Sequence, residues 1–429
     1  MEPISTVPAY GTDRFHHGDE GKGRTVGAID QRTAHVRTGR LPAGVLVLAL
    51  GVFAVGTGEF VLAGLIPLLA AQFSLSVAAA GQVVTVFAIS CAVAAPITTT
   101  LTARWPRKQV LLAAGILYLV GAAATAVAPT FAILLGAQVV AAVGTGMFIP
   151  NASVTAAELV PEADSGRAIA AAVTGFTLAV AFGAPAGTAI GAVFGWRVTL
   201  WLAAAVAALG VVGIAWLVPR GRTTSSDPGG LRDRLAPLGN RRVLALLATT
   251  LVAFTAVYIP YTYISAVFSP ATGGDGVRLA LLMTTLGIAG AVGNLVAGRL
   301  ADRHGGSAVV LVALLWLILS FAMISVAQTT YAWSLAAIGF YGIAAFAITT
   351  PQQHRLITQD PQRASVLLSL NQALLYLAIG ASGIVGAAGI RTVGAEHVVW
   401  IAAILAALAI GLSALGRPVH DPAAEPADG

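Results

Sequence analysis

Charge is scarce in this chain: only 10% of its 429 residues are Asp, Glu, Lys or Arg, against about a quarter in an ordinary globular sequence. With 57% hydrophobic residues and a mean hydropathy of +0.85, a water-soluble domain could not cover itself with polar surface. Cysteine is nearly absent. Cys91 stands alone, which excludes an intrachain disulfide and any multi-cysteine metal site. Lysine occurs at Lys22, before Gly23, and at Lys108, before Gln109, so neither makes the Lys-Ser/Thr pair of a phosphate-binding loop. The histidines, at 16, 17, 35, 304, 354, 397 and 420, fall in stretches that read as tails or loops. With no acid pair inside an apolar run, hydrolytic and metal chemistry lack their groups. The sequence therefore reads as no enzyme, with no metal and no cofactor.

What is abundant is apolar length. Crossing a bilayer takes about 20 mostly apolar residues, and polar breaks bracket twelve such segments. They fall at 43–71, 79–101, 109–128, 131–157, 168–194, 197–218, 243–268, 278–298, 307–327, 330–352, 364–389 and 396–416. Basic residues mark the cytoplasmic side of a multi-pass protein. With both termini inside, all of the 24 Lys and Arg residues except Arg197, Arg278 and Arg391 lie on that side. The pI of 9.8 thus reflects topology and not nucleic-acid binding, because the basic residues sit in short turns.

The expected fold is an all-α membrane protein with twelve transmembrane helices in two pseudo-symmetric six-helix bundles. Residues 1–42 lack the apolar core of a signal peptide and read as a disordered cytoplasmic tail. The bundles would cover 43–218 and 243–416, joined by a cytoplasmic linker at 219–242 and followed by a cytoplasmic tail at 417–429. Internal similarity supports the duplication: Leu101 and Arg104 after the second segment recur as Leu300 and Arg303 after the eighth, 199 residues on. The fifth segment carries Gly183, Gly187 and Gly191 where the eleventh carries Gly380, Gly383 and Gly386.

Among 18 carboxylates, Glu59 alone lies well within a span, and no Lys or Arg does. Ionising an acid in hydrocarbon costs at least a few kcal/mol, so Glu59 is the candidate proton-coupling group. The plainer alternative is a permanently protonated side chain bonded to a neighbouring helix. Gly56 and Ala63 share roughly its helical face and would leave room beside it. With no buried cation, a central cavity suits neutral or weakly polar amphiphiles. Candidates to line it are Phe148, Asn151, Tyr258, Tyr261, Tyr263, Phe340, Tyr341, Phe346, Asn371, Gln372 and Tyr376.

Gly298-x-Leu300-Ala301-Asp302-Arg303-x-Gly305 resembles the loop signature of the major facilitator superfamily. Gly175 and Gly183-Ala184-Pro185-Ala186-Gly187 resemble the proline-glycine motif of its drug:proton antiporters. Gly56-Thr57-Gly58-Glu59-Phe60, running on to Pro67, is similar to the first helix of chloramphenicol-resistance and arabinose-efflux-type permeases, and Gly195-Trp196-Arg197 is typical of the same group. The resemblance implies a monomeric proton-coupled exporter in a bacterial inner membrane, working by alternating access. Its partners would be H+, the bilayer and a small neutral or amphiphilic molecule, such as chloramphenicol or a sugar-like metabolite. Uptake symport or passive facilitation is the alternative. The resemblance also implies a gating hinge at Gly183, Pro185 and Gly187, packed on helix 11, and a latch in which Asp302 and Arg303 face Gly166 and Arg167 in the state closed to the cytoplasm. Two departures stand out. Thr99 and Ala103 replace the signature's glycine and aspartate after helix 2, and Gln138 stands where the family often has an arginine.

Overall fold

The computed structural model describes residues 41–220 and 236–416; the tail expectations for 1–40 and 417–429, and the linker stretch 221–235, lie outside the described residues. Lipid offers no hydrogen bonds, so a chain this apolar satisfies its backbone by winding into helices. Among the described residues, twelve helices are long and apolar enough to cross a membrane. They are α1 (Ala43–Gln72), α2 (Val77–Leu101), α3 (Arg107–Ala126), α4 (Phe131–Glu158), α5 (Glu162–Phe194), α6 (Trp196–Leu217), α7 (Arg241–Thr262), α8 (Gly276–His304), α9 (Gly306–Ala327), α10 (Tyr331–Gln359), α11 (Pro361–Val393) and α12 (Val398–Leu415). No strand occurs among the described residues.

Local chemistry sets the helix ends. Thr130 Oγ1 accepts from Ile133 N at the start of α4, and Asp275 Oδ1 accepts from Val277 N and Arg278 N at the start of α8. Gly195, Gly305 and Gly394 stop α5, α8 and α11 at φ of 89°, 79° and 86°, a region that side-chain-bearing residues avoid. Gly195 and Gly394 stand at the same 199-residue offset as the sequence repeat.

Four boundaries differ from the sequence reading by six residues or more, the first being the start of α5, at Glu162 instead of 168. α8 runs to His304 and α10 to Gln359, because helical bonding continues past the apolar stretch into polar residues. α7 stops at Thr262, two residues after Pro260, and the chain turns through two short helices, Ile264–Val267 and Ser269–Thr272. His304, His354 and Arg355 are thereby helical, not loop residues.

α1–α6 pack as one half and α7–α12 as the other. The halves meet along α2 against α11 and α5 against α8. The sequence reading paired α5 with α11; the structure corrects this, since each helix packs on the other half's non-equivalent member. At one end, here the basic end, lie Arg104, Arg107, Lys108, Arg299, Arg303, Arg355 and Arg363; Arg197, Arg278 and Arg391 lie at the opposite end.

Contact between the halves is one-sided. Gln82 Nε2 donates to Gly383 O at 3.4 Å, Thr188 Oγ1 meets Met283 Sδ at 3.5 Å, and Gly276 packs on Ala192, all in the opposite-end portions of their helices. Toward the basic end burial falls away. Within α11, residues 364–375 contain only Leu367 and Asn371 as buried positions, whereas Tyr376, Ala378, Ile379, Gly380, Ser382 and Gly383 follow in close order. α8 thins in the same sense after Gly293. Arg107 and Lys108 at the basic end find partners inside their own half. Arg107 reaches Glu158 (3.6 Å) and Asn151 (3.1 Å), and Lys108 Nζ donates to Ala215 O at 2.7 Å. The molecule is sealed at the opposite end and parts toward the basic end.

Candidate functional site

Glu59 sits midway along α1, 7% exposed, where the parting between the halves closes to a narrow crevice. The crevice is lined by Glu59, Phe60, Ala63, Val84, Phe87, Tyr258, Tyr261, Thr262 and Ile379, from α1, α2, α7 and α11. Both halves therefore contribute. Tyr376 on α11 donates to Glu59 Oε2 at 3.4 Å, and Tyr261 on α7 donates to Phe60 O at 3.3 Å. The Phe60 ring is held edge-on by Tyr261 (centroids 5.7 Å) and by Phe176 of α5 (5.3 Å), and Tyr258 stands edge-on to Tyr261 at 5.9 Å. The far face of α1 is fixed as well: Tyr118 of α3 packs on Gly58 and donates to Ala54 O at 3.1 Å. Glu59 thus points into the crevice from a helix clamped on several sides.

The structure gathers Glu59, Tyr258, Tyr261 and Tyr376 from the sequence candidates and disperses the others. Ala63 lines the crevice as expected from its face, but Gly56 does not: it lies against Phe176 and Ala179 of α5 and serves close packing. Phe148 is buried against Gly51 and Gly115 inside the first half, and Asn151 is tied to Arg107 at the basic end. Tyr341 donates to Val257 O and packs on Phe321, while Phe340 packs on Trp316 and Phe346 on Gly290. Tyr263 belongs to the opposite-end seal, where its hydroxyl donates to Gly383 O at 2.7 Å. Gln372 is half-buried on α11, in its less covered basic-end portion. Gln138, in the family arginine's place, donates to Thr125 Oγ1 at 3.2 Å within the α3–α4 pair.

Asn371 accepts from Thr250 Oγ1 (2.7 Å) and joins a buried network the sequence reading missed. Gln352 Nε2 donates to Leu246 O (2.7 Å) and Thr250 Oγ1 (3.2 Å). Arg355 Nη1 donates to Gln352 Oε1 (3.1 Å) and Ser413 Oγ (2.8 Å), and its Nη2 to Ser413 O (2.9 Å). Arg355 is only 5% exposed, which corrects the expectation of no buried cation. Its signal in the sequence was Gln352 three residues earlier, one turn away on the same face.

The hinge residues fall around an irregular turn. Ala179–Gly183 is π-helical and ends two residues before Pro185. Pro185 has no N–H for the Ala181 carbonyl and its ring crowds it, so a widened turn relieves both. Gly183 lies against Thr57 and Gly187 against Val61 and Thr199, which lets α5 approach α1 and α6. Gly195-Trp196-Arg197 ties turns together at the opposite end: Arg197 lies over the Trp196 ring (4.3 Å), donating to Gln72 Oε1 (3.3 Å) and Ala128 O (3.4 Å). Asp302 and Arg303 are exposed at the end of α8, and Asp302 has no hydrogen bond or ion pair among the described residues.

Twelve spans in two halves around a crevice lined from both are the architecture of a secondary carrier. The profile of the Major Facilitator Superfamily matches residues 48–382 and, in a second stretch, 246–429. The chain belongs to this superfamily and is a multi-pass membrane transporter, not an enzyme. Among its relatives, the chloramphenicol resistance protein of Streptomyces lividans is 30% identical over 90% of this chain and 99% of its own. The inner membrane transport protein YdhP of Escherichia coli K12 is 30% identical over 85% and 94%. Of solved structures, the xylose transporter XylE of E. coli superposes with a TM-score of 0.67 at 17% identity, over 88% of this chain and 97% of that one, which shows the fold.

Proposed function

We propose that this chain is a proton-coupled exporter of small neutral or amphiphilic molecules, with chloramphenicol-like drugs as the first candidates. The basic end is cytoplasmic by the positive-inside rule, so the conformation described here faces inward. The observation that carries the reading is Glu59, a buried acid at the point where the crevice closes, bonded to a residue of the other half. Its ionisation is costly in an apolar setting, so gaining or losing a proton there alters the balance between conformations. The name of the S. lividans relative supports the drug class. Energetically one proton is enough: a charge crossing about 150 mV releases roughly 3.5 kcal/mol, which sustains roughly a 300-fold gradient of a neutral solute.

The test is accumulation of chloramphenicol in cells expressing the protein. Collapsing the proton gradient should raise it, and Glu59→Gln should lose uphill export while keeping downhill flux. Uphill export that survives Glu59→Gln would remove the proposed coupling. In proteoliposomes, substrate supplied on one side should drive protons the opposite way; co-directional movement would mean symport.

A further inference from the structure

We propose that Tyr376 is the positioning residue that ties the proton state of Glu59 to the contact between the halves. This rests on reading Glu59 as the coupling group. Glu59 belongs to α1 and Tyr376 to α11; both are buried, and the phenol donates to Oε2 at 3.4 Å. A phenol bonded to an ionised carboxylate makes a charge-assisted hydrogen bond, roughly twice as strong as the neutral one. Loss of the proton from Glu59 therefore tightens α1 against α11 and holds the crevice shut toward the opposite end. Uptake of a proton loosens the same contact.

A second contact supplies the internal control. Tyr261 also reaches across the halves, one residue along α1, to Phe60 O at 3.3 Å. Its acceptor is a backbone carbonyl, whose charge does not change with pH. Both phenols bridge the same interface, but only Tyr376 reads the proton. The titratable groups near enough to sense the Glu59 charge are Tyr258 and Tyr261 on α7 and Tyr376 itself on α11, with Cys91 of α2, whose thiol turns to Ala142 O, and Tyr118 of α3, which lies on the far face of α1. α5 brings the Phe176 ring to the neighbouring Phe60. None of these side chains is charged near neutral pH, so the Glu59 proton is the variable charge in the crevice. A substrate entering between Glu59 and Tyr376 must part this bond, so substrate and proton act on one contact.

The experiment uses the full chain in lipid vesicles with Cys91→Ala and paired labels at Gln109→Cys and Thr358→Cys, one per half at the basic end. The distance between labels reports opening at that end. In the otherwise unaltered protein the open population should rise from about pH 6 to about pH 9, by roughly tenfold relative to the closed one. Tyr376→Phe should lose most of that pH response. Tyr261→Phe should lower the open population alike at both pH values and keep the response. A Tyr376→Phe protein with the full pH response, or one indistinguishable from Tyr261→Phe, overturns the proposal. Glu59→Gln separates it from the functional reading. If Glu59→Gln is flat while Tyr376→Phe still responds, only the role of Tyr376 fails. A flat parent protein sinks both.

Discussion

Replacing Gly81 by alanine should push the carrier toward the state open at the opposite end. Gly81 lies near the start of α2, where Tyr263 of the other half fills the space a side chain would take. A Cβ at 81 would come within 2.5 Å of Tyr263 Cε1 and 2.6 Å of its hydroxyl oxygen. The ring cannot easily yield, being fully buried, packed on Gly386 and bonded through its hydroxyl to Gly383 O at 2.7 Å. Overpacking of this kind costs about 1–3 kcal/mol, and a ring that swings away forfeits roughly 1 kcal/mol more with its hydrogen bond. A conformation in which α2 leaves Tyr263 bears none of this cost. The equilibrium should therefore move by about 1–4 kcal/mol, roughly five-fold to several hundred-fold. The readout is the labelling rate of Thr85→Cys, in a Cys91→Ala background, by a membrane-impermeant thiol reagent. Thr85 is buried and faces Gly383 across the seal, so it reacts only when the seal opens. Gly136→Ala, where nothing lies within 4 Å, is the neutral control. In a Tyr263→Ala background the added methyl should have little further effect. Labelling by Gly81→Ala equal to the parent, or an increase that persists without the tyrosine, would refute the reasoning.

Two further outcomes follow from polar groups at the basic end. Arg355→Met removes the donor of three hydrogen bonds to Gln352 and Ser413 and leaves their buried oxygens short of a partner. A loss of about 3 kcal/mol is expected, seen as a lower melting temperature in detergent, and Arg355→Lys should recover only part because an ammonium cannot fork. Asp302→Asn should leave stability within about 0.5 kcal/mol, since the side chain is exposed and unbonded among the described residues. If the latch operates in the state closed at the basic end, the same change slows turnover; unaltered turnover dismisses the latch.

The fold was largely legible because hydrocarbon imposes a simple rule on sequence: long apolar runs broken by polar turns. The rule weakens where helices leave the lipid, which is why the final turns of α8 and α10 read as loops. That error carried Arg355 with it, since an arginine near a span end reads as a marker of sidedness and not as a buried donor. Glu59 was visible as a rare charge in an apolar run. Tyr258 and Tyr261 were visible as rings with a hydroxyl inside an apolar span, but Phe87, Val84 and Ile379 were not, because nothing in composition separates a crevice-lining apolar residue from a lipid-facing one. Rotation of each helix about its axis decides that, and it is fixed by close approaches such as Gly58 on Tyr118 and Gly56 on Ala179. The π-helical turn before Pro185 was equally hidden, since the proline announces a disturbance but not its form.

The seal at the opposite end, among the described residues, is made from glycine backbones, threonine and tyrosine hydroxyls, the Gln82 amide, the Met283 thioether and methyl groups, with no ion pair between the halves there. Ionic strength therefore has little grip on that gate, because no Coulombic attraction is available for dissolved ions to screen. What it should feel is mechanical: lateral pressure from the surrounding acyl chains, which squeezes the surfaces together, and temperature, which loosens contacts held by van der Waals fit.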